Sequence, residues 1–450
     1  MGFQQGLSGL NSSSKNLDVI GNNVANTSTV GFKSSRTEFA DIYASTFSSS
    51  SNVSGLGAKT VAITQQFGQG NLTSTSNPLD IAISGDGFFQ LYDSANTQSA
   101  SYTRNGQFQF DKDGYIVTST GRYLTGWMGD TSTGFLPSSG PVEPVQIQYA
   151  NFGAQATGAS GVTGAGLNIG PNLNSSDTVK TAAFSMVDPT TYNYSTLATV
   201  YDSLGNAHTQ TMYFVKGTYG GTATSAPTDT ANTWNVYYAL DGEPVLADGT
   251  LGGSSTTQDV MLRGTLKFTS SGAYDTANPF TTNHTAGANN FSVSAAALNN
   301  GSTGLDFQVY FDDATQYGSS YNVNALAQDG YTDGSLEGVS VSKDGVVQAR
   351  YSNGQTRDVA RIPLFTFTNS QGLQPLGDNR WAVSYSSGQA IANAAGSGSA
   401  GLMQSAALED SNVDMTAELV NLIVAQRNYQ ANAQTIKAQD TILQTLVNLA

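Results

Sequence analysis

The chain has no cysteine in 450 residues. Neither disulfides nor thiolate metal sites are therefore available to it. It has two histidines, His208 and His284, in separate loop-like stretches. A Ser-His-Asp triad or a His-based zinc site is poorly supplied by such a pair, and each reads as a surface structural residue. No catalytic residue, metal ligand or cofactor is expected, and the chain does not read as an enzyme. Charge is scarce as well: 11% of residues are Asp, Glu, Lys or Arg, less than half the usual share of about 25%. With 18 Lys and Arg against 33 Asp and Glu, the net charge is −15. Nucleic acid and anionic membrane surfaces both require clustered cations, so neither is an expected partner. The N-terminus lacks the basic start and apolar stretch of a cleaved secretory signal. No apolar run approaches the roughly 20 residues that span a bilayer. The expectation is a cytosolic protein or one exported without a cleaved signal.

Glycine, serine, threonine, asparagine and glutamine fill the space left by charge, with 49 glycines. A disordered chain combines low hydrophobicity with high charge. Here 21 tyrosines, 20 phenylalanines and many Val, Ile and Thr residues favour ordered β structure instead. The length allows two or three domains.

Only the two ends carry helical periodicity. Phe3, Leu7, Leu10, Leu17 and Val24 recur at alternating three- and four-residue steps, with Ser14 and Gly21 in the same seam. Leu419, Leu422, Tyr429, Ile436, Leu443 and Val447 do so at the other end, with Gln426, Ala433 and Asp440 interleaved. Such seams must meet apolar surfaces. The plain reading is two core helices of a monomer. Their terminal position and polar seam members favour pairing with each other and with other subunits, because polar seam residues specify register more than they stabilise. Asp440 would be costly in a sealed core and tolerable beside water. The first helix is expected over Phe3 to Ala25. The second is expected over about Asp414 to Leu449, capped by Ser411 or Asp414 with Glu418 in its first turn.

Between the helices the strand signals are continuous. Residues 32–76 read as a Ser/Thr/Gly-rich connector, including the run Ser48 to Ser51. A meander follows through Leu79 to Ile83, Phe88 to Leu91, Phe108 to Phe110, Tyr115 to Val117 and Tyr123-Leu124. Gly153 to Asn174, rich in small residues, marks a boundary. Further strands are expected at Thr196 to Tyr201, Gln210 to Val215, Trp234 to Leu240, Gly264 to Phe268 and Phe307 to Phe311. The compact strand-turn grammar resumes at Gly338 to Tyr351, Ile362 to Phe367 and Trp381 to Tyr385, before a Gly/Ala/Ser-rich stretch, Ser386 to Gly401. The fold class is thus mainly β with terminal α-helices. Discontinuous nested β domains join an N/C-terminal helical coiled-coil domain. Residues 1–31 and 404–450 form that helical domain, 32–76 a connector, 77–150 and 329–403 a first β domain, and 151–328 an inserted one.

Three motifs resemble ligand sites only in part. Gly55-Leu56-Gly57-Ala58-Lys59-Thr60 puts Ala where a phosphate loop needs Gly before Lys. Asp111 to Gly114 and Asp329 to Gly334 start like calcium loops, yet Arg122 and Ser340 stand where the distal Glu belongs. Both read as turns. Gly85 and Gly87 read as a tight turn as well.

Four ordered blocks resemble the bacterial flagellar rod–hook family. The first combines Leu7 to Leu10, Leu17 to Asn26 (with Asn22 and Asn23) and Val30-Gly31-Phe32-Lys33. The second is Asn77 to Ile83 with Gly85 to Phe89, and the third Tyr102 to Phe108. The fourth runs from Ser411-Asn412-Val413-Asp414 through Glu418 to Val420 and on to Ala425-Gln426-Arg427-Asn428-Tyr429-Gln430-Ala431-Asn432. The resemblance covers residues 1 to 125 and 330 to 450. Distal rod members are shorter and lack a central insertion. This chain has one, and its Val200 to His208 resembles the outer domain of hook subunits; residues 217 to 328 match nothing by motif.

The resemblance implies a structural subunit of a flexible extracellular tube, the flagellar hook, which transmits torque from rod to filament. The terminal helices would line its channel, with the first β domain as mid-shell and the inserted domain outside. Expected partners are further copies of the chain, the distal rod, hook cap and hook–filament junction proteins, and the type III export apparatus. Both ends are expected to order only on joining the tube. A distal rod or junction protein of the same family, or a secreted Ser/Thr-rich β fibre or adhesin, are the competing readings. A curved rather than straight polymer separates the first.

Overall fold

A computed structural model describes residues 2–42, 57–95, 97–130, 135–147, 152–162, 164–217, 232–252, 261–283 and 290–449. The Ser48 to Ser51 run and His284 lie outside them. The chain divides into two compact units. One comprises Met1–Tyr149, Glu337–Arg350 and Thr356–Ala450; the other comprises Ala150–Leu336 and Tyr351–Gln355.

The first unit holds helix α1 (Gly2–Ala25) and the long helix α3 (Met415–Leu449), each starting within a residue of its expected position. Asp414 caps α3: its Oδ1 accepts from the backbone N–H groups of Thr416 (2.9 Å) and Ala417 (3.1 Å). That satisfies two of the free donors at a helix start. Part of the connector is folded. Strands β1 (Ser35–Asp41) and β2 (Ala58–Gln65) form an antiparallel ribbon against α1. Ala58, Lys59 and Thr60 of the phosphate-loop resemblance are therefore in a strand.

Phe108–Phe110, Ile116–Thr118 and Tyr123–Met128 form a meander, but Phe89–Ser94 pairs with its last strand and Ile81–Ser84 pairs outside it; strands from residue 336 onward join the same sheet. Tyr123–Met128 pairs with Phe89–Ser94 on one edge and Thr356–Arg361 on the other, and Arg380–Ala382 pairs with Thr97–Thr103. Two further ladders knit the ends together. Leu402–Ser405 runs antiparallel to Ile81–Ser84, and Ala407–Glu409 to Leu72–Ser74. Residues 402–405 and 407–409 are thus strands, broken at Ala406, and the helix begins only at Met415. Phe88, Tyr102, Phe365 and Trp381 form an apolar cluster with Phe67 and Phe367 packed on it. Its rings meet edge to face, as aromatic quadrupoles prefer.

In the second unit two sheets share one core. The first has Tyr194–Tyr201, Ala207–Lys216, Thr233–Leu240, Arg263–Lys267 and Thr281–Thr282 in that order. The second has the order Asn290–Ser294, Gly304–Tyr310, Gly166–Asn172 and Asn322–Gln328. Phe214, Trp234, Tyr238, Phe291, Phe307 and Phe311 lie in the shared core. Thr233–Leu240 is buried throughout because its other face is covered too, with Tyr237 stacked on Phe184 at 4.2 Å. A four-residue helix, α2 (Ala295–Leu298), caps one end of this unit.

Gly166–Asn172 corrects the reading of 153 to 174 as a boundary. It is a central strand, parallel to Gly304–Tyr310 and antiparallel to Asn322–Gln328. Its small residues serve close approach: a Cβ on Gly166 would lie 2.2 Å from Gln308 O, and one on Gly170 2.9 Å from Asp313 Cβ. Among the described residues no helix is long and apolar enough to cross a membrane.

Candidate functional site at the meeting of the chain ends

Helices α1 and α3 pack antiparallel. A Cβ on Gly6 would stand 3.0 Å from Ile436, and one on Gly9 2.8 Å from Asn432. At the other end Asn23 Nδ2 donates to Glu418 Oε1 at 3.2 Å. Leu422, Tyr429 and Ile436 are half-buried along this contact, and Ala425 is buried. Gln426 and Asp440 of the expected seam are exposed and Ala433 is half-buried. Asp440 accepts a hydrogen bond from Gln444 at 3.1 Å. Leu419 and Leu443 are 44% and 54% exposed. The row that turns inward beside Leu422, Tyr429 and Ile436 is Glu418, Ala425, Asn432 and Gln439, one residue back from Leu419, Gln426, Ala433 and Asp440.

Helix α1 has two covered sides, which one heptad does not describe. Leu10, Ser14, Leu17 and Val24 are half-buried, Gly21 is exposed, and Leu7 is 44% exposed. Gly6, Ser12, Val19, Ile20 and Asn23 are the buried positions among its described residues. The β1–β2 ribbon accounts for part of this, since Ser12 Oγ donates to Ala58 O at 3.2 Å. The side chains of Phe3 and Val447 lie outside the described residues.

The asparagines of the motif blocks act as amide clamps. Asn23 bonds both backbone groups of Ser35, accepting from its N–H at 2.9 Å and donating to its carbonyl at 2.8 Å. Asn412 accepts from Ser34 N at 2.7 Å and donates to Gln66 O and Gly68 O at 2.7 and 3.0 Å. It also donates its own N–H to Phe32 O at 3.4 Å; Phe32 is half-buried. Asn26 donates to Asn22 at the end of α1, and Thr29 Oγ1 donates back to Asn26. Gly31 has a positive φ of 70°, and a Cβ there would stand 2.8 Å from the backbone of Arg104. Arg427 and Asn428 are exposed on α3.

Beneath these clamps lies a buried ion cluster. Lys33 Nζ is 2.7 Å from Glu409 Oε1, and Arg104 Nη1 is 3.2 Å from Glu409 Oε2, with the three side chains 0–3% exposed. Lys33 also donates to Gly68 O (2.8 Å), Arg104 to Gly85 O (2.9 Å), and Gly70 N to Glu409 Oε1 (2.9 Å). The Arg104 guanidinium lies over the Phe88 ring at 5.3 Å. Burial pushes the Lys33 ammonium below its usual range while the Glu409 carboxylate pulls it back up; burial lowers Arg104 as well. Two cations share one carboxylate, so losing Glu409 would strand both away from water. The sequence reading quoted Lys33 and Arg104 within motifs but missed this role, and missed Glu409. The available signal was the acid Glu409 directly after the apolar pair Ala407-Leu408, followed by Asp410, in a chain so poor in charge.

The other candidate sites resolve into local structure. Asp111 Oδ1 accepts from the N–H groups of Asp113 and Tyr115. The Asp329 carboxylate accepts from Gly158, Ser160 and Gly166. His208, read as loop-like, lies in the strand Ala207–Lys216 and has two acidic neighbours: Asp241 Oδ2 at 2.7 Å from Nδ1 and Asp202 Oδ2 at 3.4 Å from Nε2. Strand pairing brings Asp241, 33 residues away, alongside it. Asp202 is fully buried and also accepts from Leu204 N, Asn206 N, Asn206 Nδ2 and Asn300 Nδ2. Burial alone would raise its carboxyl, but these bonds outweigh it and hold it down at about 2.

Four family models match along the chain. They are the flagella basal body rod protein at residues 3–33 and the flagellar hook protein FlgE/F/G D1 domain at 82–174. The flagellar basal body protein FlaE D2 domain follows at 172–331 and the flagellar basal body rod FlgEFG protein C-terminal at 404–449. The flagellar hook protein FlgE of Salmonella typhimurium is 40% identical over 451 residues, covering all of both chains. That of Escherichia coli K12 is 41% identical over 452 residues, again all of both. That of Borreliella burgdorferi is 30% identical, covering 99% of this chain and 98% of its own. A crystal structure of the Helicobacter pylori flagellar hook protein FlgE2 aligns with a TM-score of 0.48 at 16% identity, over 74% of this chain and 99% of that one. With full-length identity at this level and rod- and hook-family models over residues 3–33, 82–331 and 404–449, the chain belongs to the flagellar hook protein FlgE family.

Proposed function

We propose that this chain polymerises outside the cell into the flexible tube that links the flagellar rod to the filament. In that tube residues 1–31 and 404–450 form the inner layer, 77–150 and 329–403 the mid-shell and 151–328 the exterior, with 32–76 connecting the first two. The observation that carries the reading is the joining of the two chain ends. Helices α1 and α3 are paired, and the buried Lys33–Glu409–Arg104 cluster fixes the segments that lead into them. Such a clasp holds two helices at a set angle to a β framework, as a subunit that passes torque requires. The apolar seam positions left open, Leu7, Leu419 and Leu443, then become contacts with neighbouring copies. Hydrogen exchange along both helices should be fast in the free subunit and slow in the tube. The distal rod, hook cap, hook–filament junction and type III export apparatus are its further partners. Nothing in its chemistry calls for catalysis.

The test is assembly itself. Purified full chain should form curved tubes by negative-stain microscopy. A variant lacking residues 1–26 and 415–450, which keeps Lys33 and Glu409, should stay monomeric and β-rich. Straight tubes from the full chain would favour a rod role, and tubes from the shortened variant would refute the assembly role of the helices.

A further inference from the structure

Residues 401–412 lie across the first unit as a strap. Its two strands are the single strand partners of Leu72–Ser74 and Ile81–Ser84 among the described residues. These strands reach the core: Ile81, Ile83, Met403 and Ala407 are buried. The main chain is tied along its length. Gly401 N donates to Asp86 O (2.7 Å), Ala407 N to Asp80 O (3.2 Å) and Asp410 N to Asn71 O (2.8 Å), while Gly31 N donates to Glu409 O (2.7 Å). Glu409 brings the carboxylate that Lys33 and Arg104 share. Without the strap, two cations placed for burial lose that carboxylate and two core strands have no ladder, and both conditions are unfavourable.

Nearly everything the strap touches precedes it by most of the chain. The bonds from Ser405 to Pro78, Gly70 to Glu409 and Lys33 to Glu409 span 327, 339 and 376 positions. The second unit needs no such closure, because Ala150–Leu336 and Tyr351–Gln355 all come before the strap. Closing a long loop costs chain entropy ahead of the contacts it makes, so pairing of this kind is slow. We propose that residues 401–412 close last, after the second unit has folded, and that this closure makes the subunit competent to assemble. A chain still being made already carries α1 and Lys33 but lacks Glu409, so it cannot form the clasp between its ends. The strap thereby keeps incomplete chains out of the polymer. That use rests on the reading of the chain as a tube subunit; the order of folding does not.

Two glycines beside the strap provide the test. A Cβ on Gly70 would lie 2.0 Å from Asp410 O, whereas one on Gly68 would meet nothing within 4 Å. Gly70→Ala therefore obstructs closure without altering a charge, and Gly68→Ala is its control. The full chain is refolded from denaturant and sampled by pulsed hydrogen exchange. In the unaltered chain Thr233–Leu240 and Gly304–Tyr310 should gain protection in an early phase. Ile81–Ser84 should follow in a later one, together with Leu402–Ser405 and Ala407–Glu409. Gly70→Ala should slow the later phase at least about tenfold, or abolish it, and leave the early one unchanged, while Gly68→Ala changes neither. Protection of Ile81–Ser84 ahead of Leu402–Ser405, a single phase for both units, or equal slowing of both phases by Gly70→Ala overturns the proposal. Polymer, followed by light scattering, should appear only after the later phase. Polymer that forms ahead of it overturns the strap's part in assembly. Late closure with no polymer at all sinks the tube reading instead, and the folding order stands.

Discussion

In the unit that carries both chain ends, charged and amide side chains join distant segments alongside the aromatic cluster of Phe88, Tyr102, Phe365 and Trp381. Lys33 reaches Glu409 across 376 positions, and Asn412 reaches Ser34 across 378. In the unit of residues 150–336, the core is made of rings and aliphatic side chains from two sheets. Its buried Lys216 donates to two carbonyl oxygens, those of Ser175 and Asp177, and lies over the Trp234 ring. Its buried Asp202 is satisfied by its own hairpin and by Asn300. Apolar area stabilises in proportion to its size and is indifferent to direction. Hydrogen-bonded ion clusters add little net stability but are intolerant of misplacement. One unit is thus built for bulk stability from a nearly continuous stretch of chain. The other fixes an angle between two chain ends.

The comparison breaks most sharply at Glu409. Glu409→Gln leaves Lys33 and Arg104 buried beside a neutral amide, and the expected loss is about 4 kcal/mol in the unit that holds them. Hydrogen exchange resolved by strand should show Ile81–Ser84 and Leu402–Ser405 opening while Thr233–Leu240 keeps its protection. Equal loss in both units, or a shift below about 1 kcal/mol, would remove the cluster from its role.

Acid should probe the other unit. The Asp202 carboxyl titrates at about 2 in the folded chain against 3.8 for the free group. A depressed carboxyl contributes stability that is complete above the free value and lost as pH falls through the folded one. The difference corresponds to about 2 kcal/mol, lost between roughly pH 5 and pH 2. The unfolding free energy of Asp202→Asn, read from denaturant titrations, should be lower by about that much at neutral pH and change less than that of the unaltered chain on acidification. A variant as pH-sensitive as the parent would count against this assignment.

The same contrast explains which features could be read from the sequence. Thr233–Leu240 and Phe108–Phe110 were legible because strands of branched and aromatic residues between turns need no distant partner to be recognised. Asp414 was legible as a cap because capping is local. Gly166–Asn172 was not, since its glycines answer to Gln308 and Asp313, more than 140 positions away, and read locally as a linker. Leu422, Tyr429 and Ile436 face α1, but the second row of the seam shifted by one residue. Periodicity names a helix's apolar residues and not the neighbour each one meets. The ion cluster was invisible for the same reason: nothing local links Lys33 to Glu409. His208 gained Asp241 only through strand pairing.

Two glycines of α1 test that distinction at the smallest scale. Gly21 and Gly9 both sit inside the helix, where glycine costs about 1 kcal/mol relative to alanine. A Cβ on Gly21 would meet nothing within 4 Å, whereas one on Gly9 would press on the Asn432 amide at 2.8–2.9 Å. Gly21→Ala should therefore raise the stability of the assembled tube by roughly 0.5–1 kcal/mol per subunit, read as a higher melting temperature of the polymer. Gly9→Ala gains the same propensity but must swing Asn432 away from α1, weakening its 3.4 Å contact to Ser13, so its net effect should fall about 1 kcal/mol below that of Gly21→Ala. Equal gains from the two substitutions would mean that the helices are not held at this separation in the tube, and the close approach at Gly9 would lose its structural meaning.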